Sequence, residues 1–146
     1  MVSFFVEARK TSARLLYNSM MKEPVILSGK VVHGKALGRT VGMPTANLCI
    51  EEGTIPEDGV YATRILIDGQ SYMSVTNIGR RPTVDEEAYR TVETYIIDFD
   101  KEIYGEYTVL EVYKLLRSVQ KFESLKEVQK QVQKDVEMTK IYFKEK

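Results

Sequence analysis

The chain has 146 residues, 43% of them hydrophobic, which is enough for one domain with a real core. Its 21 Lys and Arg balance 21 Asp and Glu, and a formal net charge of 0 argues against a dedicated nucleic-acid binder, whose affinity comes from neutralising phosphates. A single cysteine excludes an internal disulfide, no apolar run approaches the ~20 residues that span a bilayer, and the first ten residues lack the form of a secretory signal. A cytoplasmic domain with no nucleic-acid and no membrane partner is expected.

Residues 3–21 read as a helix, with Phe4, Ala8, Leu15, Leu16 and Met20 in a loose 3.6-residue pattern that Pro24 ends. Packing against the rest of the domain or a second subunit is its expected role, which predicts a monomer or weak dimer. From Val25 the pattern becomes strand-like. Val25–Leu27 with Val31 and Val32 read as a first strand, interrupted by a glycine-rich loop, and Leu48–Ile50 continue after it, with Cys49 read as a small buried apolar residue. Glu51-Glu-Gly53 and Pro56-Glu-Asp-Gly59 punctuate as turns. Val60–Ile67 and Ser71–Ile78 flank Asp68-Gly69, a pair suited to a type I′ hairpin. Residues 79–91 are polar and read as a long loop, of the kind that often forms a binding lid. Val92–Phe99 and Tyr107–Leu116 complete the strands. Ser124-Leu-Lys-Glu127 is a capping box that opens a helix to about residue 143. Leu125, Val128, Val132, Val136 and Phe143 form its apolar stripe, and the Lys, Gln and Glu residues between them form a solvated face. About six short strands and one terminal helix predict a mainly β fold, a small antiparallel barrel.

The stretch from Gly34 to Asn47 stands apart. Gly34, Gly38 and Gly42, interleaved with Lys35 and Arg39, describe a pliable cationic loop whose backbone amides can approach an anion. Pro44 then stiffens the chain, and Thr45 and Asn47 follow two apart, so that extended backbone puts hydroxyl and carboxamide on one face. This is a cradle for a metal–polyphosphate complex. It is not a Walker A loop, because three residues separate Gly34 from Gly38 and Arg39-Thr40 leads to Pro44 instead of a helix. Glu93 is the candidate base. Alternation places it with Tyr95, Ile97 and Phe99 on an apolar row read as pointing inward, where partial desolvation favours proton acceptance. His33, the sole histidine, reads as structural.

Gly29-Lys-Val-Val-His-Gly34, Gly42-Met-Pro-Thr-Ala-Asn-Leu48, Asn77-Ile-Gly79 with Arg81-Pro-Thr83, and Val92-Glu93 with Asp98-Phe-Asp100 and Tyr104-Gly105 together resemble the riboflavin kinase family, in order, over roughly residues 24–143. The resemblance implies a six-stranded Greek-key barrel as residues 24–146, with residues 1–23 as a helical extension. It implies phosphoryl transfer from ATP to the 5′-hydroxyl of riboflavin, with Glu93 as base. Thr45 and Asn47 would hold Mg2+ or another divalent ion, and Gly34, Lys35, Gly38, Arg39, Gly42 and Pro44 would surround the nucleotide phosphates. On the flavin side the matching positions are Arg117, Lys121, Phe122 and Leu125. Riboflavin or FMN and ATP or ADP are thus the implied partners. Bacterial relatives commonly carry an adenylyltransferase domain ahead of the kinase. With some 23 residues there and no His-x-Gly-His motif, the activity is expected to stop at FMN. Several positions depart from the family pattern. Arg117-Ser-Val-Gln-Lys-Phe122 lacks two acids, Met43 replaces a usual phenylalanine, Ala36 and Ser74 replace glycines, and Arg80 replaces a small residue. Two rival readings stay open at this point: a sensor or carrier that binds flavin or nucleotide without turnover, and a barrel used for protein or RNA contact.

Overall fold

Apolar residues at every second position fold the chain into strands that cannot bury a face alone, and closure into a barrel removes their edges. The computed structural model describes residues 23–33, 45–82 and 88–145. Six strands, β1 (Val25–Val32), β2 (Ala46–Glu52), β3 (Gly59–Ile67), β4 (Gln70–Pro82), β5 (Ala88–Ile96) and β6 (Tyr107–Arg117), form a closed barrel in the order β1-β2-β5-β4-β3-β6. Every pairing is antiparallel. Strands β3, β4 and β5 form a meander and β6 returns beside β3, which is a Greek key. One helix, α1 (Leu125–Lys144), follows. The helix expected over residues 3–21 lies outside the described residues.

Leu27, Tyr61, Ile65, Ile78, Leu110 and Val112 fill the interior and are wholly buried. A buried aliphatic side chain of this size contributes roughly 1.5–3 kcal/mol relative to exposure. The interior also holds a chain of hydroxyls. Thr63 bonds Ser74 at 2.7 Å and Thr76 at 2.9 Å, and Thr76 bonds Thr94 at 2.9 Å. These groups satisfy one another, so their burial carries little penalty. Ser74, noted above as a departure from the resembled pattern, is thereby accounted for. Gly29 is required where β1 meets β2: a Cβ there would lie 1.9 Å from the Cys49 carbonyl oxygen. At the β3–β4 hairpin Asp68 (φ 50°) and Gly69 (φ 78°) are both left-handed, as a type I′ turn demands.

A second layer covers one outer face. Val60, Val75 and Ile97 point away from the interior and are buried, with Met73, Tyr95 and Val136 of α1 packed on them. The capping box forms: the Ser124 hydroxyl accepts from the Glu127 N–H at 3.2 Å, and the Glu127 carboxylate accepts from the Glu123 N–H at 3.1 Å. The expected stripe faces the barrel from Val128 through Val132 and Val136 to Phe143, but Leu125 is not part of it and two polar residues are. Leu125 is 51% exposed, whereas Asp135 and Thr139 are buried, because the face that continues Val128 and Val132 by helical steps passes through them.

Two further expectations are corrected. Cys49 is exposed, since Ala46 and Leu48 are buried inward and the alternate positions, Asn47 and Cys49, face out. Residues 79–91 are not one long loop, because β4 and β5 stay paired from Gly79↔Thr91 to Pro82↔Ala88. Arg90 holds this extension in place by donating to the carbonyls of Ile55 and Pro56 and, at 2.8 Å, to Asp58. Arg80 reaches the same carboxylate at 3.2 Å. Only residues 83–87 remain between the strands, and they lie outside the described residues.

Candidate active site

Strand register sets the site. Asn47 of β2 lies directly opposite Glu93 of β5, and Glu93 lies directly opposite Asn77 of β4. The same row continues through Val60 of β3 to Arg117 of β6. Val92, Thr94 and Ile96 are buried inward, so Glu93 faces outward with Tyr95 and Ile97. The expected inward row is therefore the outer face, and it is apolar because α1 covers part of it. Phe99 leaves that row: Asp98, with φ 55°, turns the chain, and Phe99 packs on Tyr72 with ring centroids 4.8 Å apart.

Directly paired residues place their Cβ atoms about 4.5–5.5 Å apart. Glu93 is thus flanked by two carboxamides, Asn47 and Asn77, within reach of one small bound group. Thr45 precedes Ala46, which points inward, and so shares the outward side with Asn47. The register brings together Asn47 and Glu93, and Thr45 immediately precedes β2. Gly34, Lys35, Gly38, Arg39, Gly42 and Pro44 lie outside the described residues.

Next to Gly34, His33 stacks on Tyr104 with ring centroids 3.5 Å apart. The Gly105 N–H donates to the Val31 carbonyl at 2.9 Å, and the Val31 N–H to the Glu106 carbonyl at 2.9 Å. This fixes the end of β1, from which the glycine-rich stretch departs. A cavity of about 420 Å3 opens at the same barrel end, where the β3–β4 turn meets the β5–β6 connection. Its floor is Ile67, Tyr72, Phe99 and Ile103, and charged residues rim it.

Arg117 is engaged by the protein. Its Nε and Nη2 donate to the two Asp135 carboxylate oxygens, both at 2.9 Å, and its Nη1 to the Ser118 carbonyl at 3.2 Å. Gln131 donates to Asp135 Oδ1 at 3.1 Å. The Phe122 ring centroid lies 5.8 Å from the Arg117 guanidinium carbon, so these two flavin-side candidates are neighbours. They sit three strands round the barrel from Glu93, or about 14 Å at the usual strand spacing. At the other end of α1, Arg64 lies 4.7 Å over Phe143, and burial pushes the Tyr113 and Tyr142 hydroxyls up.

Sequence reasoning quotes Asn77 within the Asn77-Ile-Gly79 motif without giving it a role, and it passes over Asp135. Asparagine is disfavoured inside strands, and Asn77 lies mid-strand between buried Thr76 and Ile78. That misfit is the local signal for it. Asp135 has no comparable signal, because its partner Arg117 comes from another element.

Three comparisons give the class. A crystal structure of riboflavin kinase from Trypanosoma brucei superposes with a TM-score of 0.55 at 25% identity, covering 84% of this chain and 78% of that one. A structure described as a macrolide-efflux protein from Streptococcus pneumoniae superposes with a TM-score of 0.77 at 35% identity, over 84% of this chain and 40% of that one. The bifunctional riboflavin kinase/FMN adenylyltransferase of Bacillus subtilis is 38% identical over 131 residues, 88% of this chain and 42% of that protein. Fold and site define a riboflavin kinase-like barrel.

The sequence model of the family described as Flavokinase, riboflavin kinase, matches residues 21–143, and the chain belongs to this family. It spans about two-fifths of the length of the curated relatives it matches. No helix among the described residues is long and apolar enough to cross a membrane.

Proposed function

We propose that the chain transfers the γ-phosphoryl group of ATP to the 5′-hydroxyl of riboflavin, giving FMN and ADP in the cytoplasm. The observation that carries this reading is the direct pairing of Asn47 with Glu93 on one outward face, with Thr45 two residues before Asn47. A bond forms between the riboflavin 5′-oxygen and the γ-phosphorus, and the bond from that phosphorus to the β–γ bridging oxygen breaks. The 5′-hydroxyl proton passes to the Glu93 carboxylate, and ADP leaves. Because Glu93 neighbours the nucleotide-binding face, it can orient the alcohol for in-line attack.

Magnesium arrives as part of the MgATP substrate. Among the described residues no group of three or more His, Cys, Asp or Glu could hold a metal. The fit is instead to two neutral oxygens, from Thr45 and Asn47, completing the shell of an ion already carried by phosphates. The glycine-rich stretch with Lys35 and Arg39 supplies donors to the nucleotide phosphates, and the segment from Arg117 to Phe122 supports the flavin side. Incubation with riboflavin, ATP and Mg2+ followed by chromatography tests the proposal. FMN and ADP in equal amounts are expected, and folded protein that yields no FMN would overturn it.

A further inference from the structure

Beside Glu93 the outer faces of β4 and β5 form a small polar notch. Two directly paired couples build it, Asn77↔Glu93 and Gly79↔Thr91. All four positions share the outward face, because Ile78 and Val92 between them are buried inward. Gly79 leaves the floor open: among the described residues, a Cβ placed there would meet nothing nearer than Thr91 Oγ1 at 3.7 Å and Asn77 Oδ1 at 3.9 Å. One carboxamide and one hydroxyl thus converge on the same space, within two residues of the carboxylate along the strands. Among the described residues, neither the Asn77 nor the Thr91 side chain has a hydrogen-bond partner in the protein.

A hydroxyl can donate to Asn77 Oδ1 and accept from Thr91 Oγ1 or the Asn77 amide. A chain with hydroxyls on successive carbons, its terminal oxygen at Glu93, would set the next hydroxyls in this notch. We infer that Asn77, Thr91 and the open floor at Gly79 read the polyol chain of the acceptor, so that the site selects a polyhydroxylated substituent over a plain hydroxyalkyl one. This rests on the riboflavin kinase reading above and goes further by assigning what selects the acceptor. Discrimination of this kind is strong when the site's polar groups are left unpaired by the wrong substrate.

The test compares riboflavin with a flavin carrying a 5-hydroxypentyl chain at N10, which keeps the terminal hydroxyl and lacks the others. Wild type, Asn77→Ala and Gly79→Ala are assayed for phosphorylated product and, by flavin fluorescence titration, for binding. Loss of one neutral hydrogen bond predicts a fall on the order of three- to tenfold in kcat/KM for riboflavin in Asn77→Ala. The same variant should act on the hydroxypentyl flavin within about twofold of wild type, by the logic of a double-mutant cycle. Gly79→Ala meets only ordinary contacts among the described residues and should fold, yet it fills the floor and should lower riboflavin turnover selectively. Equal losses on both flavins, or no loss on either, would overturn the inference. If wild type phosphorylates neither flavin, the kinase reading fails by itself. Titration then decides the notch: riboflavin bound more tightly than the analogue by wild type but not by Asn77→Ala supports it, and equal binding refutes it.

Discussion

Replacing Asp135 by alanine tests how α1 is held on the barrel. Asp135 is 1% exposed, receives both arms of the Arg117 fork at 2.9 Å and takes a third bond from Gln131 at 3.1 Å. Removing one member of a buried pair costs about 3–5 kcal/mol, because the other charge stays behind without compensation. Arg117 is 21% exposed, so water reaches part of the orphaned guanidinium and the lower end, about 3 kcal/mol, is expected. That is a large share of the ~5–15 kcal/mol that stabilises a typical domain. Arg80→Ala is the control. Its pair with Asp58 is longer, at 3.2 Å, and its side chains are 60% and 37% exposed, so a loss below about 1 kcal/mol is expected. Urea unfolding followed by circular dichroism reads both. With a slope near 2 kcal/mol/M, Asp135→Ala should lower the midpoint by roughly 1.5 M. A shift no larger than that of Arg80→Ala would refute the idea that this pair anchors the helix.

Three other outcomes follow from the same structure. Gly29→Ala should prevent stable folding, since its Cβ would lie 1.9 Å from the Cys49 carbonyl oxygen; a cooperative unfolding transition near the wild-type midpoint would contradict this. Burial, and then the nearby Glu57 charge, push the Tyr61 hydroxyl up to about 12. The native state therefore keeps this proton above pH 10 where the unfolded chain loses it. Its stabilisation is complete below pH 10 and declines up to about pH 12. Thermal midpoints of Tyr61→Phe should fall less steeply across that window, and an unchanged slope counts against it. Asn47→Ala should weaken Mg·ADP binding by about tenfold in calorimetry, as loss of a charge-assisted contact implies; wild-type affinity would remove Asn47 from the nucleotide face.

Local signals were legible wherever one residue dictates its own geometry. The Asp68-Gly69 turn and the Ser124–Glu127 cap are formed as their chemistry requires. Alternation along β5 correctly grouped Glu93 with Tyr95 and Ile97, but could not say which side of the sheet was the interior. Both sides are apolar, one filled by the barrel core and the other covered by α1. Thr63, Ser74, Thr76 and Thr94 look like surface residues one at a time and are buried because they bond one another across three strands. Asp135 carries no sign of burial in the helix sequence, and only Arg117, arriving from β6, explains it. Cys49 fails for the opposite reason: apolar neighbours in sequence point to the other side of the strand. Around the candidate site, parity put Thr45 and Asn47 on one side of the chain, whereas the pairing of Asn47 with Glu93 and the notch of Asn77, Gly79 and Thr91 required the strand register.

Turnover of Glu93→Gln is the most direct test of the central claim, that this carboxylate takes the proton from the alcohol being phosphorylated. Glutamine keeps the size of the side chain and its place opposite Asn47 while removing the base. FMN formation from riboflavin and MgATP should fall by about 10²–10⁴, the usual contribution of a general base. Nucleotide affinity measured on the same sample should stay near that of wild type. Near-normal FMN formation by Glu93→Gln would contradict the account.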